Sequence, residues 1–169
     1  MQDFERAYMR TLRHIYDTER QLIVSARSIA ASTSEPRLAA ALRDIEAQSA
    51  QQVKRIEGIF AVLYLEPRGE ASWVATALLR EAWESCAGAK IDGTQGCAAA
   101  LLAIKRYEIT LYEALLRWSE HQQLIEAIPD IRRCVAEELV QASILSELAF
   151  EGGAANRVAL APADHTALH

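Results

Sequence analysis

From Phe4 to Ile29 the chain repeats apolar residues in steps of three and four: Phe4, Tyr8, Leu12, Ile15, Leu22, Ala26 and Ile29, with Glu19 in the same stripe. This spacing follows the 3.6-residue turn of an α-helix and conflicts with the two-residue repeat of a strand. An apolar stripe this long needs other helices to cover it.

Glycine and proline are scarce, 7 and 4 residues, and they cluster, so they divide the chain cleanly. A first helix is predicted from about Asp3 to Ala31, closed by "STSEP". Pro36 suits the first turn of a second helix reaching about Tyr64. After the break "LEPRGEAS", Ser72 is a suitable N-cap for a short third helix, Trp73 to about Gly88. A second break, "AKIDGTQG", precedes a fourth helix from about Gln95 to Gln122 and a fifth from about Pro129 to Phe150. No stretch alternates like a strand. The class is therefore all-α, with residues 1–150 forming the bundle and 151–169 an aperiodic, flexible tail.

Helices of this length reach ~40 Å. Two long hairpins joined by a segment holding one short helix describe a ferritin-like four-helix bundle, with the extra helix between the second and third long ones. Such bundles place their metal sites between facing helices.

Each long helix interrupts its apolar seam near its middle. The first does so at Glu19; the second at Ser49 and Gln52, with Gln48 beside them; the fourth at Glu108, flanked by Lys105 and Tyr112; the fifth at Glu138, with Gln141 alongside. Antiparallel packing would bring these positions to one level. A lone glutamate of this kind can graze the core edge and reach water. Three at one level must share protons, meet a cation or find solvent, because an unpaired buried carboxylate is costly.

The totals narrow the partners. The 169 residues carry a net charge of −5 and no dense run of lysine or arginine, so neither nucleic acid nor an anionic membrane is an expected partner. No apolar run approaches the roughly 18 residues of a membrane span, and the first residues do not read as a leader. Cys86, Cys97 and Cys134 are odd in number and lack CxxC spacing; they read as reduced, mostly buried thiols of a cytoplasmic protein.

The segments "YDTERQL", "QSAQQVKRIEGIF", "KRYEITLYEALL" and "EELVQASILSELA", in this order, resemble the ferritin-like bacterial stress proteins of the YciE/YciF type. The short helix "WVATALLREAWE" is similar to that family's helix in the same place. The resemblance covers about Asp3 to Phe150. It implies a ferritin-like bundle, a homodimer, a stress-related role and a carboxylate-rich two-metal centre. By position it retains Glu19, Glu108 and Glu138 as remnant metal ligands. It departs at Gln48, where a glutamate is expected, at Lys105 and Arg106 in place of glutamate and histidine, and at Ala142 in place of aspartate.

The histidines do not restore the set. His14, His121, His165 and His169 each lack an acidic residue three positions earlier, whereas a di-iron site of this class uses two such pairs. Two expectations follow. In the first, no metal binds: Lys105 supplies the positive charge beside Glu19 and Glu138, Gln48 and Gln52 donate hydrogen bonds, and the protein is a non-catalytic structural or interaction module. In the second, Lys105 points outward, and Glu19, Glu108 and Glu138, with Gln48, Gln52 or Gln141 as weak donors, hold one iron or manganese ion that handles peroxide or oxygen. Tyr112, one turn after Glu108, is an expected donor to it. The aromatic residues Trp73, Trp83, Trp118, Tyr64 and Tyr107 read as core and helix-end packing.

Overall fold

The computed structural model describes residues 2–87 and 93–150. They form α1 (Gln2–Ser32), α2 (Pro36–Val62), α3 (Trp73–Ala87), α4 (Gly93–His121) and α5 (Ile128–Phe150). The boundaries fall within about two residues of those the sequence predicts. The tail 151–169 lies outside the described residues, as does part of the "AKIDGTQG" break.

Local chemistry accounts for the helix ends. Pro36 opens α2, and the Glu35 carboxylate accepts the Leu38 N–H at 2.7 Å. Ser72 caps α3 by accepting the Ala75 N–H at 3.3 Å. The α2 chain stops at Tyr64, whose φ of 57° is left-handed; the Leu65 N–H then returns to the Phe60 carbonyl at 2.9 Å and the Tyr64 N–H to Ala61 at 3.0 Å. This is a Schellman closure built without glycine. α4 ends the same way at Gln123, φ 55°, with the Leu124 N–H on the Ser119 carbonyl.

The apolar residues form two clusters, one at each end of the bundle. The first joins Leu22, Ala26 and Ile29 of α1 with Leu38, Leu42 and Ile45 of α2, Leu101 and Ile104 of α4, and Leu145 of α5. The second joins Tyr8, Leu12 and Ile15 with Ile56, Ile59, Phe60, Leu115 and Ile131. The two halves of each helix sort between these ends, which fixes the directions. α1 and α5 run one way, α2 and α4 the other.

Because α2 and α4 point the same way, the chain must return the length of the bundle between them. Residues 63–72 and α3 make that return. The segment passes close to α1, where the Glu70 N–H donates to the Arg13 carbonyl at 3.2 Å. A Cβ on Gly69 would lie 3.2 Å from the Asp17 side chain, so the close approach favours glycine. α3 then lies on α4 and α1, burying Ala75, Leu79 and Ala82. Hairpin, crossover, hairpin is the ferritin-like order.

Two expectations require correction. Cys86 and Cys97 are not reduced thiols: they form a disulfide, and Cys134 is the free, buried cysteine among the described residues. The crossover brings the end of α3 back to the start of α4, so residues with no motif spacing meet there. The reduced-thiol argument for a cytoplasmic location therefore loses its premise. Trp73 and Tyr64, at 92% and 96% exposure, are not packed, and Trp83 is also exposed. They lie on the outer side of α3 and at the end of α2, where no other described element covers them. Trp118 does pack, edge-on to Phe4 at 5.9 Å. No described helix is long and apolar enough to cross a membrane.

Candidate functional site

Between the two apolar clusters lies a polar layer to which all four long helices contribute. α1 supplies Glu19, α2 Ser49 and Gln52, α4 Lys105 and Glu108, and α5 Glu138 and Gln141, all buried. Each interrupts its seam at mid-helix, and the antiparallel directions put the interruptions at one level. Gln48 is half-buried at the edge of the layer.

Lys105 points inward. Its Nζ lies 2.9 Å from Glu108 Oε2 and 3.1 Å from both Glu138 oxygens, at 2% side-chain exposure. Glu19 receives the Tyr112 hydroxyl at 2.7 Å. Tyr112 thus donates to Glu19, not to Glu108 as the sequence suggests. The i, i+4 spacing places its Cβ over the Glu108 turn, but the long ring carries the hydroxyl across to α1.

One ammonium among three carboxyl groups leaves charge uncompensated in a dry environment. Burial pushes the Glu19 carboxyl up to about 7; Lys105 pulls it down, Glu138 pushes it up, and Ser49 and Tyr112 pull it down. Burial likewise holds Glu108 well above the ordinary carboxylate range, with the neighbouring Glu19 adding to it. Desolvation alone would lower the Lys105 pKa, but Glu108, Glu138 and Glu19 together outweigh it and raise it. The layer therefore holds an ammonium at neutral pH together with at least one shared or retained proton. Glu19 Oε2 and Glu108 Oε1 have no hydrogen-bond partner among the described residues.

Gln48 donates a long contact of 3.5 Å to Glu138 Oε1 and accepts Gln141 Nε2 at 3.2 Å. Both glutamines also line an open groove between α2 and α5, so they stand between that groove and Glu138. Gln52 does not donate to the centre. Its amide turns to Glu137 Oε2 at 3.5 Å, because Glu137 gathers donors: Arg55 grips both its oxygens at 2.6 and 3.0 Å. The Arg55–Glu137 pair and its contact with Cys134 escaped the sequence reading. Its signal is the adjacent pair Glu137–Glu138, of which only one can face the seam.

The ferritin-like fold implies a di-metal centre, and the residues present can be tested against it. Glu19, Glu108 and Glu138 each offer an oxygen within 4.8 Å of the others, and no described histidine joins them. The Lys105 ammonium lies at contact distance from two of the three carboxylates. Two divalent ions need about four carboxylates with histidine donors, and a fixed ammonium between the ligands would repel them. The residues do not fit a di-metal centre.

Comparison with known proteins agrees with this architecture. A family model described as a domain of unknown function, DUF892, matches residues 3–159. The stress protein YciF of E. coli has a solved structure similar to this one, with a TM-score of 0.84 over 92% of this chain and 100% of that chain, at 21% identity. YcfI of Rhodopseudomonas palustris, for which a structural role has been suggested, is similar with a TM-score of 0.78 over 85% of this chain and 92% of its own, also at 21% identity. No curated protein matches the chain. At such identities the likeness establishes the helical fold.

Proposed function

We propose, for a chain that belongs to the DUF892 family, that it is a YciF-type bundle whose former metal layer has become a charge-balanced structural core. Lys105 takes the place of the cations, and the protein acts as a non-catalytic structural or protein-interaction module, assembled as a homodimer. The observation that carries this reading is the position of Lys105 Nζ, at 2.9–3.1 Å from Glu108 and Glu138 and shielded from water. The ammonium contacts two of the three carboxyl groups, Tyr112 donates to the third, and a retained proton reduces the charge that remains, so the layer needs no metal supply. The suggested structural role of YcfI points the same way. Cytoplasmic residence belongs to this reading and requires that the Cys86–Cys97 bond open in a reducing compartment.

A second reading, one iron or manganese ion handling peroxide or oxygen, draws support from the carboxylate spacing and from the unpartnered oxygens of Glu19 and Glu108. It requires Lys105 to leave the centre. Elemental analysis of protein from cells grown with added iron and manganese separates the two. Wild type is expected to carry less than about a tenth of an ion per chain, and Lys105→Glu, which restores a fourth carboxylate, is expected to gain metal. Wild type loaded with an ion or more per chain would sink the metal-free reading and make peroxide turnover the next assay.

A further inference from the structure

Cys86 is on the last turn of α3 and Cys97 is near the start of α4; their Cα atoms are 4.6 Å apart and their sulfurs are bonded. α3 is the shortest helix and lies outside the four-helix core, so the way it is fastened determines whether it stays in place. At its beginning, the Ser72 and Tyr107 hydroxyls meet at 2.7 Å and Ser72 caps the helix. Along its length Ala75, Leu79 and Ala82 are buried. At its end the disulfide adds a covalent tie to α4.

A cleft of about 130 Å³ adjoins the two sulfurs, lined also by Thr33, Ser34, Glu35 and Thr94. It is hydroxyl-rich and reaches a bond that is otherwise enclosed. Cys86, at 8% exposure, is the more open of the pair; Cys97 is at 2%. Glu35 gives the cleft a negative side chain, which disfavours thiols that carry carboxylates and suits a small dithiol with no charge beyond that of its reacting thiolate. Cys134 cannot scramble the pair, since it belongs to the opposite apolar cluster.

The geometry points to Cys86–Cys97 as a reversible redox site, opened by a small dithiol, that fastens and releases the C-terminal end of α3. One thiolate of the dithiol attacks the Cys86 sulfur, forming a mixed disulfide and releasing the Cys97 thiolate. The second thiol of the dithiol then attacks its partner sulfur in that mixed disulfide, closing a cyclic disulfide and releasing Cys86. The dithiol is oxidised by two electrons, and both cysteines take up protons as thiols. The Ser72–Tyr107 end is untouched, so α3 loosens from its far end only.

The test uses the full chain, oxidised and then treated with dithiothreitol under native conditions, with differential alkylation and hydrogen exchange read by mass spectrometry. Cys86 and Cys97 are expected to become labelled together while Cys134 stays protected. Amide exchange over residues 80–87 should accelerate about tenfold or more, with α1, α2 and α5 unchanged. Melting should fall by roughly 5–10 °C, and reoxidation should reverse every change. Reduced wild type and a Cys86→Ser/Cys97→Ser double variant should match; if the variant does not fold, reduced wild type decides alone. The proposal is overturned if the pair opens only on unfolding, together with Cys134, which would make it a permanent bond. Labelling of oxidant-treated protein without reductant, or equal α3 exchange in both states, would overturn it as well.

Discussion

Lys105 Nζ is equidistant, at 3.1 Å, from the two carboxylate oxygens of Glu138, and this pair ties the middle of α4 to the middle of α5 out of reach of water. Removing one member of a buried pair leaves the other charge stranded, which costs about 3–5 kcal/mol. Lys105→Met keeps an unbranched apolar stem of similar bulk and removes the ammonium with its contacts to Glu108 and Glu138. It is expected to lose stability of that order at pH 8 and distinctly less at pH 5, where the buried Glu19 and Glu108 carboxyls, raised by desolvation, hold protons. Urea unfolding of both proteins at both pH values measures this. An equal loss at the two pH values would assign the effect to packing.

The same layer makes wild-type stability depend on pH in an uncommon direction. Most folded proteins lose stability in acid because paired carboxylates are forced to take protons. Here the Glu19 carboxyl holds its proton more tightly in the fold, with its pKa raised from 4.5 to about 7. Its contribution is full below about pH 4.5 and is lost as the pH climbs through about 7. The shift corresponds to roughly 3 kcal/mol. Glu19→Gln is expected to flatten the decline between pH 5 and 8 and to melt higher than wild type at pH 8. Melting curves across that range would refute the assignment if the two proteins ran parallel.

Tyr112 donates a short hydrogen bond to Glu19, 2.7 Å from a fully buried hydroxyl, and with Lys105 and Ser49 it favours the ionised carboxylate. Tyr112→Phe removes the donor with little change of shape. It should cost about 1–3 kcal/mol at pH 8, where an ionised Glu19 loses its donor. It should also move the pH-dependent loss to higher pH, because Glu19 without this donor keeps its proton longer. A variant as stable as wild type at pH 8 would mean that Glu19 stays protonated there.

The bundle was open to sequence reading because its signals are local and repeated. The stripe from Phe4 to Ile29, the Pro36 start and the Ser72 cap each report on one turn of backbone, and antiparallel packing then places Glu19, Glu108 and Glu138 at one level without further information. Side-chain direction is a different matter. Lys105 at the flank of its seam could face either way, and only the three carboxyl groups facing it decide that it turns inward. The partners of Tyr112 and Gln52 depend on reach across a helix interface, which periodicity does not encode. Cys86 and Cys97 meet because α3 returns along the bundle, a consequence of topology with no trace in their spacing.

Two arginine–glutamate pairs at the α2 surface test how far burial reaches beyond the central layer. Arg55 and Glu137, at 14% and 24% side-chain exposure, form a bidentate pair that also receives Gln52 and Arg133. Arg27 pairs with Glu46 at 2.7 Å, but Arg27 is 70% exposed. The partly dry pair has little water to fall back on when broken, and the exposed one is screened and mobile. Glu137→Gln is expected to cost about 1–3 kcal/mol, because Arg55 is left charged beside Cys134 and α5 loses its grip on α2. Glu46→Gln should cost under about 0.5 kcal/mol. Denaturant unfolding at 0.05 and 0.5 M salt should shift the Glu46 comparison and leave the Glu137 comparison nearly unchanged. Equal losses from the two substitutions would mean that water reaches Arg55 as freely as Arg27, and that the groove between α2 and α5 is wet down to Gln48 and Gln141.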